Sequence, residues 1–167
     1  MQEREDFRQL YLRQADMVYR ICLLYLRNRT DTEDAVQNIF LKAWEKQMSF
    51  RDASHEKAWF ITVARNCCKD ILKSCWKKKR VYLEDVKTLK SSNIAELSRS
   101  EMDDAVLDAV MELPARHREV LYLYYFEGYA VKEMAAILNR KESTIQSQLA
   151  AARKKLEKIL VSKGLHL

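Results

Sequence analysis

Hydrophobic residues recur at helical spacing along the first 80 positions, in three stretches separated by polar breaks. The first stretch covers residues 3–26 and predicts a long amphipathic helix. A second helix can be capped by Thr30 or Asp31, and a third by Ser54. Three helices with such apolar stripes can enclose one core, so residues 1–80 predict a helical domain.

The helical period fades over residues 81–101, where serine, asparagine and scattered charges are typical of a linker. A second group of apolar residues follows, breaks at Pro114 and continues to Gly128. Proline suits the first position of a new helix, and glycine suits the end of one. The pattern therefore predicts an all-α protein with two small helical domains, 1–80 and 102–167, joined by a flexible linker.

A short helix, a tight turn and a longer helix succeed one another from Val131 to Leu160, which is the order of a helix-turn-helix. Asn139 can adopt the left-handed backbone of such a turn, and the second helix is expected to start near Ser143. An ordinary αα-hairpin with a solvated polar face gives a similar pattern. The outward side chains can nevertheless reach base edges and phosphates. The predicted DNA-binding residues are Lys141, Ser143, Thr144, Gln146, Ser147, Gln148, Arg153 and Lys154.

The composition agrees with helices and indicates a polyanionic partner. The 167 residues include only two glycines and one proline, so helix-favouring residues dominate. The formal net charge of +6 favours nucleic acid or an anionic membrane without choosing between them. Between Lys57 and Arg80, eight cations stand against one acid, Asp70. The third helix therefore has a basic face, and Trp59 and Trp76 near its ends could stack on bases or lie in the core.

Several function classes are disfavoured. No apolar run approaches the roughly 18 residues of a membrane span, and the charged N-terminus does not resemble a signal peptide, so a cytoplasmic protein is expected. The sequence has no glycine-rich phosphate loop and no grouped histidines, so we predict no enzyme, no catalytic residue and no small-molecule substrate. We expect no cofactor and no metal site, because the cysteines form no CxxC pair and suit reduced structural thiols. They are Cys22, Cys67, Cys68 and Cys75.

Three segments resemble the bacterial RNA polymerase sigma factors, specifically the extracytoplasmic-function (ECF) type of the sigma-70 family. They are DTEDAVQNIFLKAW at 31–44, AWFITVARNCCKDILK at 58–73 and LPARHREVLYLYYFEGYAVKEMAAIL at 113–138, which STIQSQLAAARKKL soon follows. The resemblance covers almost the whole chain. It implies a sigma factor that binds core RNA polymerase and directs it to specific promoters for transcription initiation.

The resemblance also implies a role for each domain. Residues 1–80 would bind the polymerase clamp and would recognise and melt the minus-ten element. Residues 102–167 would read the minus-thirty-five element and touch the polymerase flap. The implied polymerase-binding residues are Asp31, Glu33, Asp34, Gln37, Phe40 and Trp44. The implied DNA-binding residues of the N-terminal domain are Asn66, Lys69, Lys73, Lys77 and Arg80. Core polymerase and promoter DNA are the expected partners, and the family suggests a membrane-linked anti-sigma factor as well.

Five positions in the helix-turn-helix region depart from the family pattern: Ala130, Asn139, Arg140, Gln146 and Gln148. The family commonly has a capping Ser or Thr in place of Ala130, a turn glycine in place of Asn139 and an apolar residue in place of Arg140. It commonly has Lys or Arg in place of the two glutamines. The two glutamines remove positive charge from the groove face, which predicts an unusual sequence preference. Two rival functions remain open. One is a stand-alone helix-turn-helix regulator that binds duplex DNA as a dimer, and the other is a helical interaction or RNA-binding adaptor whose basic helix binds another polyanion.

Overall fold

The computed structural model describes residues 1–76 and 101–165, except for the side chains of 75, 76 and 101–104. The chain forms two compact units, Met1–Thr88 and Leu89–Leu167. The described residues are helical and include no strand, so the all-α fold with two helical domains is confirmed. Most of the predicted linker, 81–101, lies outside the described residues, and its last residue, Glu101, begins a helix.

The N-terminal unit is a bundle of three helices: α1 (Gln2–Leu26), α2 (Arg29–Glu45) and α3 (Ala53–Trp76). Each helix packs against the other two. Their apolar stripes meet in a core of fully buried side chains, which include Val18, Leu26, Ile39, Phe60 and Ile61. Full burial of one such side chain stabilises the folded state by about 1.5–3 kcal/mol.

The caps of α2 and α3 lie two or three residues earlier than predicted. Asn28, not Thr30 or Asp31, caps α2, because its Oδ1 accepts a hydrogen bond from the backbone N–H of Asp31 at 2.7 Å. Asp52, not Ser54, has the same role at α3, where its Oδ1 accepts a backbone N–H at 2.8 Å. Both side chains are good N-cap groups, and each helix therefore starts two or three residues before its predicted position.

The C-terminal unit contains four α-helices in its described part: α4 (Glu101–Met111), α5 (Ala115–Leu121), α6 (Val131–Leu138) and α7 (Glu142–Ser162). Pro114 precedes α5 as its cap and is not its first residue. A π-helical turn, Tyr122–Phe126, follows α5 directly. The long α7 packs against α4, α5 and α6, and is therefore the central helix of the unit.

Candidate nucleic-acid and polymerase interfaces

Helix α7 presents a polar outer face because apolar residues hold its other side in the core. Ile145, Leu149 and Ala152 are buried at helical spacing. The turn before α7 is fixed by Asn139, whose φ of 53° and ψ of 51° confirm the predicted left-handed backbone. The helix begins at Glu142, one residue before the predicted start. Six of the predicted DNA-binding residues are exposed on this helix: Ser143, Thr144, Gln146, Ser147, Arg153 and Lys154.

A shallow cleft of about 310 Å³ runs beside the outer face of α7. It is lined by His117, Ser143, Thr144, Ser147, Gln148 and Ala151. His117, from α5, is buried, and this burial lowers its pKa together with the charges of Lys155 and Arg116. The imidazole is therefore neutral at pH 7. The cleft offers hydroxyl and carboxamide groups that can hydrogen-bond to base edges.

Gln148 is tied to the rest of the unit through Arg140, one of the five residues that depart from the family pattern. Arg140 Nη1 donates to Gln148 Oε1 at 2.9 Å, and Arg140 Nη2 donates to Glu119 Oε1 on α5. Glu119 is only 4% exposed, and burial raises its pKa to about 7 while Arg140 opposes the rise. Arg140 thus replaces the usual apolar contact at this turn with a charged pair that also holds a predicted DNA-binding side chain.

The basic residues of α7 differ in how firmly they are held. Arg153 Nε donates to the hydroxyl of Tyr125 at 2.6 Å, and its guanidinium carbon lies 5.4 Å and 5.5 Å from the ring centres of Tyr124 and Tyr125. Such cation–π contacts contribute about 0.5–1 kcal/mol at exposed sites. Lys141 and Lys154 are exposed beside this face. All three cations lie where they can approach phosphates flanking a groove.

The basic face of α3 is partly confirmed by exposure. The exposed members of the predicted set in the described part are Asn66, Lys69 and Lys73. Their spacing of three and four residues places them on one side of the helix. Arg65 is one of the eight cations between Lys57 and Arg80 that predict this face, but it is only 5% exposed, so its placement there is wrong. It lies one position before Asn66 and therefore turns towards the core side. Lys77 and Arg80 fall outside the described residues.

The start of α3 and the loop before it carry an aromatic cluster. The ring of Trp59 lies 5.6 Å from that of Phe50 and 4.9 Å from that of Phe60. Trp59 is half-buried, so it packs against the core and keeps one part of its ring accessible. The side chain of Trp76 lies outside the description.

The predicted polymerase-binding residues on α2 fall into two groups. Asp31 is partly exposed and Glu33, Asp34 and Gln37 are exposed, and Trp44 keeps 42% of its surface exposed. Phe40 is 4% exposed, and its ring contacts Tyr11 at 4.7 Å and Phe60 at 5.1 Å. The placement of Phe40 on a binding surface is therefore wrong. It lies under that surface, because α1 and α3 close over this part of α2.

Two buried carboxylates escaped the sequence reasoning. Glu56 on α3 accepts hydrogen bonds from Arg13 Nε at 3.0 Å, Arg13 Nη2 at 3.1 Å and Gln14 Nε2 at 2.8 Å, which tie it to α1. Glu119 and Arg140 form the second case. In both, the partners lie more than twenty positions apart, so periodicity cannot pair them. The sequence offered one signal for Glu56. It stands four positions before the buried Phe60, and therefore on the apolar face of the helix, where an acidic residue needs a partner.

The described cysteines are free thiols inside or near the N-terminal core. Cys22 and Cys68 are fully buried and share a hydrogen bond, which together with burial raises the pKa of the Cys68 thiol. These two match the prediction of reduced structural thiols, and the side chain of Cys75 lies outside the description. Within residues 1–76 and 101–165, no group of three His, Cys, Asp or Glu could hold a metal ion. No helix in that part of the chain is long and apolar enough to cross a membrane.

A three-helix unit with exposed cations, together with a second unit that ends in a helix-turn-helix, defines a helical DNA-binding protein. Comparison with known families narrows this class. The Sigma-70 region 2 family matches residues 10–78, and the Sigma-70, region 4 family matches residues 103–156. The chain belongs to the ECF sigma factors of RNA polymerase.

Individual relatives agree across nearly the full length. ECF RNA polymerase sigma factor SigM of Bacillus subtilis is 30% identical over 165 residues, with 97% of each chain covered. The SigM of Mycobacterium tuberculosis is 29% identical over 158 residues, covering 95% of this chain and 79% of the relative. A solved structure of the sigma factor RpoE in complex with the anti-sigma factor NepR from Bartonella quintana superposes with a TM-score of 0.69. It is 27% identical and covers 93% of this chain and 97% of that one. As a sigma factor, the chain binds core RNA polymerase and directs it to promoter DNA.

Proposed function

We propose that this sigma factor divides promoter recognition between its two units, as a non-enzymatic subunit acting in the cytoplasm. Residues 1–80 bind the polymerase clamp and capture the minus-ten element. Residues 102–167 read the minus-thirty-five element and touch the flap. The observation that carries the proposal is the polar outer face of α7, which presents hydroxyl and carboxamide groups beside a cleft while apolar residues fix the helix from behind.

The character of this face supports groove reading. Ser143, Thr144, Gln146 and Ser147 have short or amide side chains that can meet base edges. Lys141, Arg153 and Lys154 supply charge for the phosphates on either side. With two glutamines at positions where cations are common, sequence discrimination rests on hydrogen bonds more than on charge, and affinity for isolated duplex DNA is weak.

The exposed side of α3 supports a role in opening the minus-ten element. Lys69 and Lys73 can follow the phosphates of a displaced strand, while Asn66 and the accessible part of Trp59 can contact its unpaired bases. Lys77 and Arg80 extend the same predicted set. A positively charged helix beside an aromatic group is a general solution for binding single-stranded nucleic acid.

Helix α2 supplies the polymerase-binding surface in this proposal. Its acidic and amide residues Asp31, Glu33, Asp34 and Gln37 lie in the N-terminal half of the helix, and the half-exposed Trp44 lies near its C-terminal end. A partly exposed tryptophan is a typical anchor of a protein interface. Phe40 contributes by supporting this surface from the core.

An anti-sigma factor is the proposed regulator. The related Bartonella protein was solved with the anti-sigma factor NepR, which supports an inhibitor of the same class here. Membrane linkage of that inhibitor remains a prediction from the family. Covering α2 or the outer face of α7 would be sufficient to block initiation.

Run-off transcription tests the proposal most directly. Core RNA polymerase is incubated with the purified chain and a promoter library, and start sites are mapped with and without the chain. We expect stable binding to core polymerase and a new set of start sites that share two sequence elements. Absence of both binding and new start sites would overturn the proposal.

Matched variants localise the two activities. The double substitution Thr144→Ala with Ser147→Ala should reduce initiation at promoters that depend on the upstream element by about thirty-fold, since each of the two lost base contacts costs about 1 kcal/mol. Glu157→Ala, an exposed change further along α7, is the control and should leave initiation unchanged. Equal effects of the two variants would contradict upstream reading by this face.

A further inference from the structure

Three residues from three parts of the C-terminal unit form a continuous hydrogen-bonded chain. Glu119 lies on α5, Arg140 in the turn of the helix-turn-helix, and Gln148 on α7. Arg140 joins the other two through its separate Nη atoms. Its side chain is 19% exposed, and the carboxylate partner is almost fully buried, so the guanidinium is held from the inside of the unit.

The chemistry of arginine fixes the orientation of the Gln148 carboxamide. A guanidinium has only donors, so only the amide oxygen of Gln148 can face Arg140. The NH₂ group of Gln148 must then point away from the guanidinium. Gln148 is half-buried and lines the cleft together with Ser143, Thr144 and Ser147.

We propose that Arg140 is a positioning residue that sets the base preference of Gln148, by holding its amide oxygen inward and its NH₂ group towards the DNA groove. This inference rests on the proposed reading of the minus-thirty-five element by α7. The sequence preference of the protein then depends on a residue that need not touch DNA.

The preference follows from the hydrogen-bonding edges of the bases. A glutamine that rotates freely can pair with adenine through its oxygen and nitrogen together. A glutamine whose oxygen is drawn to Arg140 offers mainly donors, which suit the major-groove acceptors of guanine and thymine. Cytosine presents an amino donor in the major groove and is therefore disfavoured at the contacted position.

The test is transcription by the holoenzyme from promoters in which each upstream position is randomised. The wild type should disfavour cytosine at one position by about five-fold, the lower end of what a base contact contributes. Arg140→Leu should reduce this penalty to less than about two-fold and raise the use of adenine there. Arg140→Lys keeps a charge beside Glu119, and therefore the fold, yet a single ammonium cannot reproduce the fixed fork, so it should shift the same position.

A double-mutant cycle separates positioning from general stability. In a Gln148→Ala background, removal of Arg140 should cause no further change in base preference, because the residue it acts through is gone. Lys141→Ala, a change to a neighbouring exposed cation, should weaken all sequences about equally and leave the profile unaltered. Two results would overturn this inference but leave upstream reading intact. One is an unchanged base preference in folded Arg140→Lys, and the other is an effect of removing Arg140 that persists in the Gln148→Ala background. A wild-type holoenzyme with no upstream preference overturns upstream reading and the inference together.

Discussion

Replacement of Phe40 by leucine tests the core of the N-terminal unit separately from its proposed polymerase-binding surface. The phenyl ring is 4% exposed and is packed against the rings of Tyr11 and Phe60. Leucine keeps most of the apolar contact but loses three aromatic pairs, the third with Phe7 at 6.5 Å, each worth about 0.5–1.5 kcal/mol. We therefore expect the free energy of unfolding to fall by about 2 kcal/mol, and by about 3–5 kcal/mol for Phe40→Ala.

The assay combines urea unfolding with competition for core polymerase under conditions where each variant is folded. Phe40→Leu should bind core polymerase like the wild type. Trp44→Ala, one turn away on the same helix and 42% exposed, should weaken binding while it lowers stability by no more than about 1 kcal/mol. If folded Phe40→Leu bound core polymerase markedly more weakly and Trp44→Ala did not, the division between core and surface drawn here would be wrong.

Three further predictions concern buried polar groups and the turn. Burial would raise the pKa of Glu56, but hydrogen bonds from Arg13 and Gln14 lower it, so its stabilisation is present above about pH 4.5 and is lost on acidification. Glu56→Ala should cost about 2 kcal/mol at pH 7 in chemical unfolding and less in acid. The lowered pKa of His117 means that the unfolded chain binds more protons below about pH 6.5, so the C-terminal unit should lose stability there, and His117→Leu should flatten that slope in pH-dependent melts. Asn139→Val should cost about 1–2 kcal/mol in thermal melts because of its positive φ, whereas Asn139→Gly should be nearly neutral.

The helices were predictable because the apolar residues recur at a spacing that places them on one face of a helix. The left-handed turn at Asn139 was predictable for a similar local reason. The caps were less certain, since Asn28, Thr30 and Asp31 all carry suitable side chains within one turn of each other. Only the position at which the backbone leaves α1 decides between them.

Side-chain exposure within a recognised segment depends on neighbours that are distant in sequence. Phe40 and Trp44 lie four positions apart on one helix, and the approach of α1 and α3 decides which of them is covered. The pairing of Arg140 with Glu119 could not be predicted either, because a charged residue at an apolar position gives no indication of its partner. The family resemblance indicated the family and its two helical domains but could not resolve these individual roles.

The contact of Arg153 with two tyrosines has a consequence for the entropy of DNA binding. A free arginine or lysine side chain carries about 2 kcal/mol of rotamer entropy, part of which is lost when it meets a phosphate. Arg153 has given up part of that freedom before DNA arrives, because Tyr125 holds its Nε and both rings border its guanidinium. Lys154, exposed beside it, must lose its freedom on binding. If both side chains contact phosphates as proposed, they release counterions equally, yet Arg153 gives more affinity for the same charge.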